Sequence, residues 1–287
     1  MNDFDTRRPV IVGVDHSEAS RWAVRWAADE AAGRHLPLHL VHAQEWPTGQ
    51  PEGEEGHRWA IGFRAAGDAL LDTARLLAAE RHPDLGITPR LVEGRPVRVL
   101  REAADEAGQL VLGVRRLTEA RSALPIGSKG ASLVGHLDCP IALVPEPAEG
   151  LSGPAPVVVG VDGSEASRAA IGFAFEEASL AGADVQAVEV RRTSEVDRPG
   201  LIEESLVDLS ESLAGWQEKY PQVRVRREVL TGAPAPMLAA VATRARCLVI
   251  GSRGLGGFRG LLFGSTGRAL VHRCTVPLVI VPNGTHT

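Results

Sequence analysis

From Val10 to Val14 the chain is apolar without alternation, broken only by Gly13. A run of that kind fits a strand covered on both faces, as in a parallel sheet. Ser17 then stands where it can cap a helix, whose apolar positions Ala19, Trp22, Ala23, Trp26, Ala27 and Ala31 follow the spacing of one helical face. The pattern keeps switching period along the chain. It predicts a strand at Leu38 to Ala43, a long helix fitting Trp59 to Arg81, a strand at Ile87 to Val92 and a helix opened by Pro96. A strand at Leu110 to Gly113, a helix at Ser128 to His136 and a fifth strand at Ile141 to Val144 complete the series. A second series places strands near Val157 to Val161, Asp184 to Val190, Val223 to Leu230, Leu248 to Gly251 and Leu278 to Val281. Strands and helices that alternate at these lengths favour parallel pairing with right-handed crossovers. The expected architecture is α/β: two tandem doubly wound domains, each a five-stranded parallel sheet flanked by helices.

The two series are copies of one another, which is the strongest statement the pattern makes. Gly13-Val14-Asp15-His16-Ser17-Glu18-Ala19-Ser20-Arg21 recurs as Gly160-Val161-Asp162-Gly163-Ser164-Glu165-Ala166-Ser167-Arg168, with only His16 against Gly163 changed. Val111-Leu112-Gly113 answers Val249-Ile250-Gly251, Gly127-Ser128 answers Gly264-Ser265, and Pro140 to Pro145 answers Pro277 to Pro282. Between them, Pro145 to Pro156 is rich in Pro and Gly and lacks apolar period, the chemistry of a linker. The expected domains are therefore residues 1–147 and 154–287. The chain length of 287 agrees, since two domains of about 140 residues each support their own cores.

Composition narrows the function classes. With 44% hydrophobic and 23% charged residues and a formal net charge of -5, no basic field gathers nucleic acid. Met1 to Pro9 is polar and is followed by no secretory apolar region, and nothing approaches the roughly 18 apolar residues of a membrane span. A cytoplasmic protein without membrane or nucleic-acid partner is expected. Cys139, Cys247 and Cys274 lack paired spacing and sit in apolar surroundings, so they read as small buried thiols.

Candidate chemistry lies where ligands bind in such sheets, at the carboxyl ends of strands beside the point where strand order reverses. After the fourth strand of the second copy the chain reads Gly251-Ser252-Arg253-Gly254-Leu255-Gly256-Gly257-Phe258-Arg259-Gly260, then Leu261-Leu262-Phe263-Gly264-Ser265-Thr266. Glycines let successive N–H groups converge on one anion. Ser265 and Thr266 open a helix whose free N–H groups favour phosphate, with Arg253 and Arg259 as countercharges. Read without a ligand, the same residues form a glycine loop and an ordinary Ser cap. Asp162, at the end of a strand, is open to two readings as well, a ligand-binding carboxylate or a turn and helix-capping group, and Asp15 repeats that choice.

Gly251-x2-Gly254-x9-Gly264-Ser265 matches the G-x2-G-x9-G-[ST] signature of ATP-binding universal stress proteins, and Gly160-Val161-Asp162-Gly163-Ser164 resembles their first-strand motif. The likeness covers nearly the whole chain, twice, so the sequence resembles a tandem-domain universal stress protein. That resemblance implies an adenine nucleotide alpha hydrolase-like fold, ATP or a related adenine nucleotide as ligand, with or without Mg, and domains paired through their last strands. It implies that Asp162, beside Gly160 and Val161, holds the adenosine end, that the backbone near Val190 faces adenine, and that Gly251, Arg253, Gly254, Gly264, Ser265 and Thr266 surround ribose and phosphates. In the first copy the matching positions are Gly13, Val14, Asp15, Ala43, Gly113, Arg116, Gly127, Ser128 and Lys129.

The first copy departs from the signature. Gly113-Val114-Arg115-Arg116 puts arginine where the second glycine belongs, the interval to Gly127 is one residue longer, and Leu117 to Ile126 has lost the loop glycines and gained Pro125. Arg116 adopts positive φ only at a cost. Its side chain either occupies phosphate space or contacts a phosphate beside Gly127, Ser128 and Lys129. Altered or weaker binding is expected there.

Other signals point away from chemistry. His35, His39 and His42 straddle a loop and a strand that turns His39 and His42 to opposite faces, a poor metal set. Neither copy holds the G-x4-G-K-[ST] order of P-loop hydrolases or the G-x-S-x-G nucleophile elbow. Arg191-Arg192 and Arg224 to Arg227 are basic runs, and alternating Val223, Val225 and Val229 make the latter an exposed strand face more simply than an RNA surface. Trp22, Trp26 and Phe173 read as helix anchors in the core. Three functions stay open: a nucleotide-dependent regulatory or stress-response protein, a slow ATP-hydrolysing enzyme in which Asp162 orients water, and a nucleotide-free interaction module. The apolar last strands pair the two domains within one chain, pair chains into a homodimer, or do both.

Overall fold

The computed structural model describes residues 8–46, 53–114, 133, 137–146, 155–192, 200–254 and 264–283. The first half runs β1 (Val10–Gly13), α1 (Glu18–Gly33), β2 (Leu38–Gln44), α2 (Gly53–Arg81), β3 (Ile87–Glu93), α3 (Pro96–Ala104), β4 (Gln109–Val114) and β5 (Ile141–Pro145). The second runs β6 (Val157–Val161), α4 (Glu165–Ala181), β7 (Val185–Arg191), α5 (Leu201–Lys219), β8 (Val225–Thr231), α6 (Pro234–Val241), a short 3-10 turn, β9 (Cys247–Gly251), α7 (Ser265–Arg273) and β10 (Leu278–Val281). The helix expected at Ser128 to His136 lies outside the described residues, apart from Leu133, which is helical and buried.

Boundaries differ from the sequence pattern in two informative places. The helix expected from Trp59 begins at Gly53, because Glu54 and Glu55 carry no apolar period but suit the positive end of a helix. The strand expected from Val223 begins at Val225, because the Val223 N–H closes a turn onto the Tyr220 carbonyl at 3.0 Å, and its buried side chain reports core packing rather than a strand.

All ten strands form one sheet in the order β3-β2-β1-β4-β5-β10-β9-β6-β7-β8. Neighbours within each half are parallel. The halves meet where β5 and β10 pair antiparallel, Ile141 opposite Ile280, Ala142 opposite Val279 and Leu143 opposite Leu278. Ala142 and Val279 hold the same place in their two copies, so an approximate two-fold axis passes between them. The last strands thus join the domains within one chain. With β4 and β9 on their other sides, neither keeps a free edge for a second chain.

One face of the sheet is covered by α1, α2, α4 and α5, with Val12, Ala27, Leu71, Phe175 and Leu213 in its core. The other face is covered by α3, α6 and α7, with Ile11, Leu100, Leu238 and Leu270. Each core runs without a break from one copy into the other. Phe173 is buried as expected, whereas Trp22 and Trp26 are half-buried against the core, with the Arg25 guanidinium 4.7 Å from the Trp22 ring centre. Cys139 and Cys247 are buried thiols and Cys274 is half-buried. Burial pushes Cys139 up to about 12 and Cys274 up to about 11.

The two-fold brings like charges together. Glu30 of α1 and Glu177 of α4 lie at the same distance from their helix caps, both 1% exposed, and meet at the seam. Two arginines resolve the conflict. Arg34 donates to Glu30 at 2.6 Å and to Glu177 at 3.1 Å, and Arg246 donates to Glu177 at 2.7 Å. Burial and the Glu177 charge hold Glu30 well above the ordinary carboxylate range. Burial pushes Glu177 the same way, but Arg34 and Arg246 outweigh it and hold that carboxyl low. Of the two carboxyls, Glu30 is the one that the seam favours in its protonated form.

This asymmetry predicts unequal mutants. Glu177→Gln leaves two arginines short of their counter-ion and should cost about 3 kcal/mol in urea unfolding, while Glu30→Gln relieves the like-charge contact and should cost less. The raised Glu30 pKa contributes stability below the ordinary carboxylate value that is lost as pH rises through the folded value. Glu30→Gln should therefore flatten the fall in stability as pH rises above the ordinary carboxylate range. Equal costs for the two variants, or an unchanged slope there, would remove this account.

Candidate functional site

In the second half the strand order reverses between β6 and β9, and the carboxyl ends of these strands open a cleft of about 770 Å³. That size suits a mid-sized organic ligand. Gly160, Val161 and Asp162 come from the end of β6, Val190 from β7, Gly251, Arg253 and Gly254 from β9 and its loop, and Gly264, Ser265 and Thr266 from the start of α7. All ten second-copy candidates thus line one cavity. Leu255 to Phe263, including Gly256, Gly257, Arg259 and Gly260, lie outside the described residues.

Two glycines are required by contact rather than by flexibility. A Cβ on Gly251 would stand 2.6 Å from the Ala166 carbonyl carbon, so its absence lets α4 start against the end of β9. A Cβ on Gly254 would stand 2.3 Å from Asp162 Oδ2. The missing side chain leaves room for that carboxylate beside the loop. The two ends of the loop are tied together, since Gly264 N–H donates to the Ser252 carbonyl at 3.1 Å and Ser252 N–H donates to the Val281 carbonyl at 2.8 Å. Gly264 is the N-cap of α7 and has no side chain to close its first turn, so the leading N–H groups of this helix are left for another acceptor. By contrast α1 and α4 are closed by Ser17 and Ser164, whose Oγ atoms accept from Ser20 and Ser167 N–H at 3.1 Å.

Asp162 uses one oxygen for the turn, with Oδ1 accepting from Ser164 N–H at 3.0 Å, while Oδ2 faces Gly254. Ser164 Oγ in turn donates to the Arg253 carbonyl at 3.3 Å, linking the β6 and β9 loops. The turn reading of this residue is thus present, with Oδ2 on the Gly254 side. Asp15 is more fully engaged in its own loop. Its Oδ1 accepts from both the N–H and Oγ of Ser17, at 2.8 and 2.5 Å, and its own N–H donates to Ser20 Oγ at 3.0 Å.

The cleft also holds polar residues that the sequence did not single out as ligand groups. Glu189, Arg191 and Arg192 line it, and so does Ser252. Arg191 is held by Ser205 Oγ of α5 at 2.8 Å and by Glu189 at 2.7 Å. In the sequence Arg191 and Arg192 stand out only as a basic run. The signal that places them was Val190, since residues flanking a cleft-lining strand end reach the same cleft.

In the first half Gly13, Val14 and Asp15 end β1, Ala43 lies in β2 and Gly113 in β4. Gly113 repeats the contact of Gly251, with a Cβ 2.5 Å from the Ala19 carbonyl carbon. Arg116, Gly127, Ser128 and Lys129 lie outside the described residues. His42 occupies the place of Glu189, its Nδ1 2.8 Å from the Val14 carbonyl, and its ring is edge-on to His16. Just beyond β2, Trp46, Trp59 and Phe63 form an aromatic cluster, with Trp59 and Phe63 stacked at 4.9 Å. Nothing comparable flanks β7 among the described residues.

A model of the universal stress protein family matches residues 6–145 and again 155–282. The chain belongs to the universal stress protein family. It carries the family's unit twice. Universal stress protein Rv2005c of Mycobacterium tuberculosis is 37% identical over 290 residues, covering 94% of this chain and 96% of the relative. Universal stress protein Rv2623 of the same organism is 33% identical over 301 residues, covering 98% of each. A crystal structure of a universal stress protein from Archaeoglobus fulgidus superposes with a TM-score of 0.73 at 16% identity over 96% of this chain and 98% of the other, a likeness of fold. Among the described residues no helix is long and apolar enough to cross a membrane.

The Ser164 bridge makes a local prediction for this universal stress protein. Ser164→Ala removes both the α4 cap and the tie to the Arg253 carbonyl, and should cost about 1 kcal/mol in chemical unfolding. Hydrogen exchange should rise at the Ser167 N–H and in the Arg253 loop together. Protection lost at α4 alone would show that the two loops are not coupled.

Proposed function

We propose that this universal stress protein binds ATP, or a closely related adenine nucleotide, in the second-half cleft and acts as a nucleotide-dependent regulatory protein of the cytoplasm. The observation that carries the reading is the placement of Gly254 against Oδ2 of Asp162, opposite a helix start that no side chain closes. One edge of the cleft offers a carboxylate for ribose hydroxyls. The other offers N–H groups and the positive end of α7 for phosphates. Arg253 adds a cation next to the phosphate edge, and the Val190 backbone forms the wall where an adenine ring would lie. Mg, when bound, would neutralise phosphate charge; Asp162 is the carboxylate placed to meet it or its water.

In this reading no residue of the chain breaks a bond. Nucleotide occupancy changes the surface that the cleft edge offers to a partner. The first half is proposed to bind more weakly or differently, since Arg116 replaces the glycine that makes room for the carboxylate.

Denaturing freshly purified protein and identifying released nucleotide by mass tests the proposal. One adenine nucleotide per chain is expected. ATP added to nucleotide-free protein at a hundredfold over Kd should stabilise the fold by about 2.7 kcal/mol. No released nucleotide together with no thermal shift would overturn the reading, and two per chain would show that Arg116 is tolerated.

Gly254→Arg should abolish the shift while leaving the far-ultraviolet circular dichroism unchanged, because the new side chain displaces Asp162 and fills the cleft. Gly254→Ala, a smaller intrusion on the same oxygen, should weaken binding at least tenfold. Unchanged affinity in both would mean that the phosphates lie elsewhere. Multiple-turnover phosphate release that disappears in Asp162→Asn would instead favour slow hydrolysis.

A further inference from the structure

A second, smaller cavity of about 210 Å³ lies at the seam between the halves, at the opposite edge of the sheet from the nucleotide cleft. Val10 and Gln109, the first residues of β1 and β4, form its floor with Leu36, and Phe173 and Leu180 of α4 form the facing wall. The repeat explains why it is open. Val10 pairs with Gln109 as Val157 pairs with Cys247, so the residue before each strand also corresponds, Gly108 in one copy and Arg246 in the other. Arg246 sends its side chain into the seam to reach Glu177. Gly108 sends none, and a Cβ there would already stand 2.9 Å from the Arg8 carbonyl oxygen. The space that one copy fills is left empty by the other.

The floor of this space is polar where the repeat is apolar. Cys247 is fully buried with no need of a partner, but Gln109, only 2% exposed, brings a carboxamide to the same register. Neither its Nε2 nor its Oε1 has a hydrogen-bond partner among the described residues. A buried amide without partners is costly. Arg34, His35 and Glu176 line the cavity as well, and Arg34 and Glu176 are already paired with one another.

We propose that this seam cavity is a binding site for a small, uncharged aromatic or heteroaromatic carboxamide or lactam. The ring lies between Phe173, Leu36 and Leu180. Its amide edge pairs with Gln109, the ligand's N–H donating to Oε1 and its carbonyl accepting from Nε2. The cavity admits one ring with one substituent and is too small for a nucleotide. Because Arg34 lies on the same wall, over Phe173 at 5.2 Å and bonded to Glu30 and Glu177, an occupant touches both halves of the chain and tightens the seam.

The probe is benzamide, with acetophenone as the near-isosteric control that keeps the carbonyl and loses the N–H. In a methyl-NMR titration of the full chain, benzamide should give saturable shifts at Val10, Leu36 and Leu180 with a millimolar Kd. Acetophenone should bind about tenfold more weakly, since it leaves Oε1 unpaired. Gln109→Met should erase that difference. Leu180→Trp, at a helix position 44% exposed in the native chain, should fill the mouth and abolish binding without loss of the fold. ATP-induced stabilisation should be unchanged in Leu180→Trp, so this site and the nucleotide reading fail or stand separately. Absence of saturable shifts, equal affinity for the two probes in the native chain, or crystals soaked in benzamide that show only water in the cavity would each overturn the proposal.

Discussion

A five-stranded parallel sheet built from this unit ends in a strand whose outer edge is apolar and unpaired. Ile141 to Val144 and Leu278 to Val281 are fully buried on both faces, so water is a poor partner for their backbone groups. Pairing them with one another, antiparallel and in three-residue register, closes both edges at once and turns two sheets into one. That single contact sets the symmetry of the molecule, and the symmetry in turn sets what else must meet. Helices α1 and α4 converge at their far ends, and two glutamates that are harmless in separate domains become a buried like-charge pair.

The chain answers this conflict asymmetrically. Arg34 comes from the end of α1, where the other copy has Ala181, and Arg246 comes from the start of β9, where the other copy has Gly108. Each copy contributes one cation, from a different element. A symmetric solution would have crowded four arginines around two carboxylates. The consequence is a seam packed tightly on one side and open on the other, and the opening lies over Gln109. A similar asymmetry follows α1 to its end, where His35 takes a left-handed backbone, φ 56°, that the second copy assigns to Gly182, φ 61°. A residue other than glycine is strained there by about 1 kcal/mol.

The same divergence marks the carboxyl edge of the sheet. Both copies end the first strand in aspartate and both use that aspartate to shape the turn into the next helix. They differ in their surroundings: Asp162 Oδ2 lies against Gly254, whereas Asp15 Oδ1 accepts from both the N–H and the hydroxyl of Ser17. Helix α4 connects the two regions. It has 17 residues, about 25 Å of rigid backbone, with Ser167 at the cleft and Glu177 in the seam.

The repeat, the alternation of strand and helix, and the segments that would carry the loops were all legible in the sequence, because each is written in local spacing: continuous apolar runs for covered strands, one-face periodicity for helices, glycines followed by hydroxyls at a helix start. The cleft candidates of the second copy were legible for the same reason, as they sit at predicted strand ends, in the loop that follows and at the start of the next helix. Glu189, Arg191 and Arg192 were not, because side chains that read as a charged run along the chain enter the cleft only through the position of β7 beside β6. Whether the last strands would join domains or chains was left open by their composition, and the register of Ala142 with Val279 decided it. The partnership of Glu30 with Glu177, and the vacancy opposite Arg246, exist only once the sheets are joined. Local period specifies which face a residue turns inward, but burial of a charge or an amide against a distant partner depends on a two-fold axis that no stretch of sequence contains.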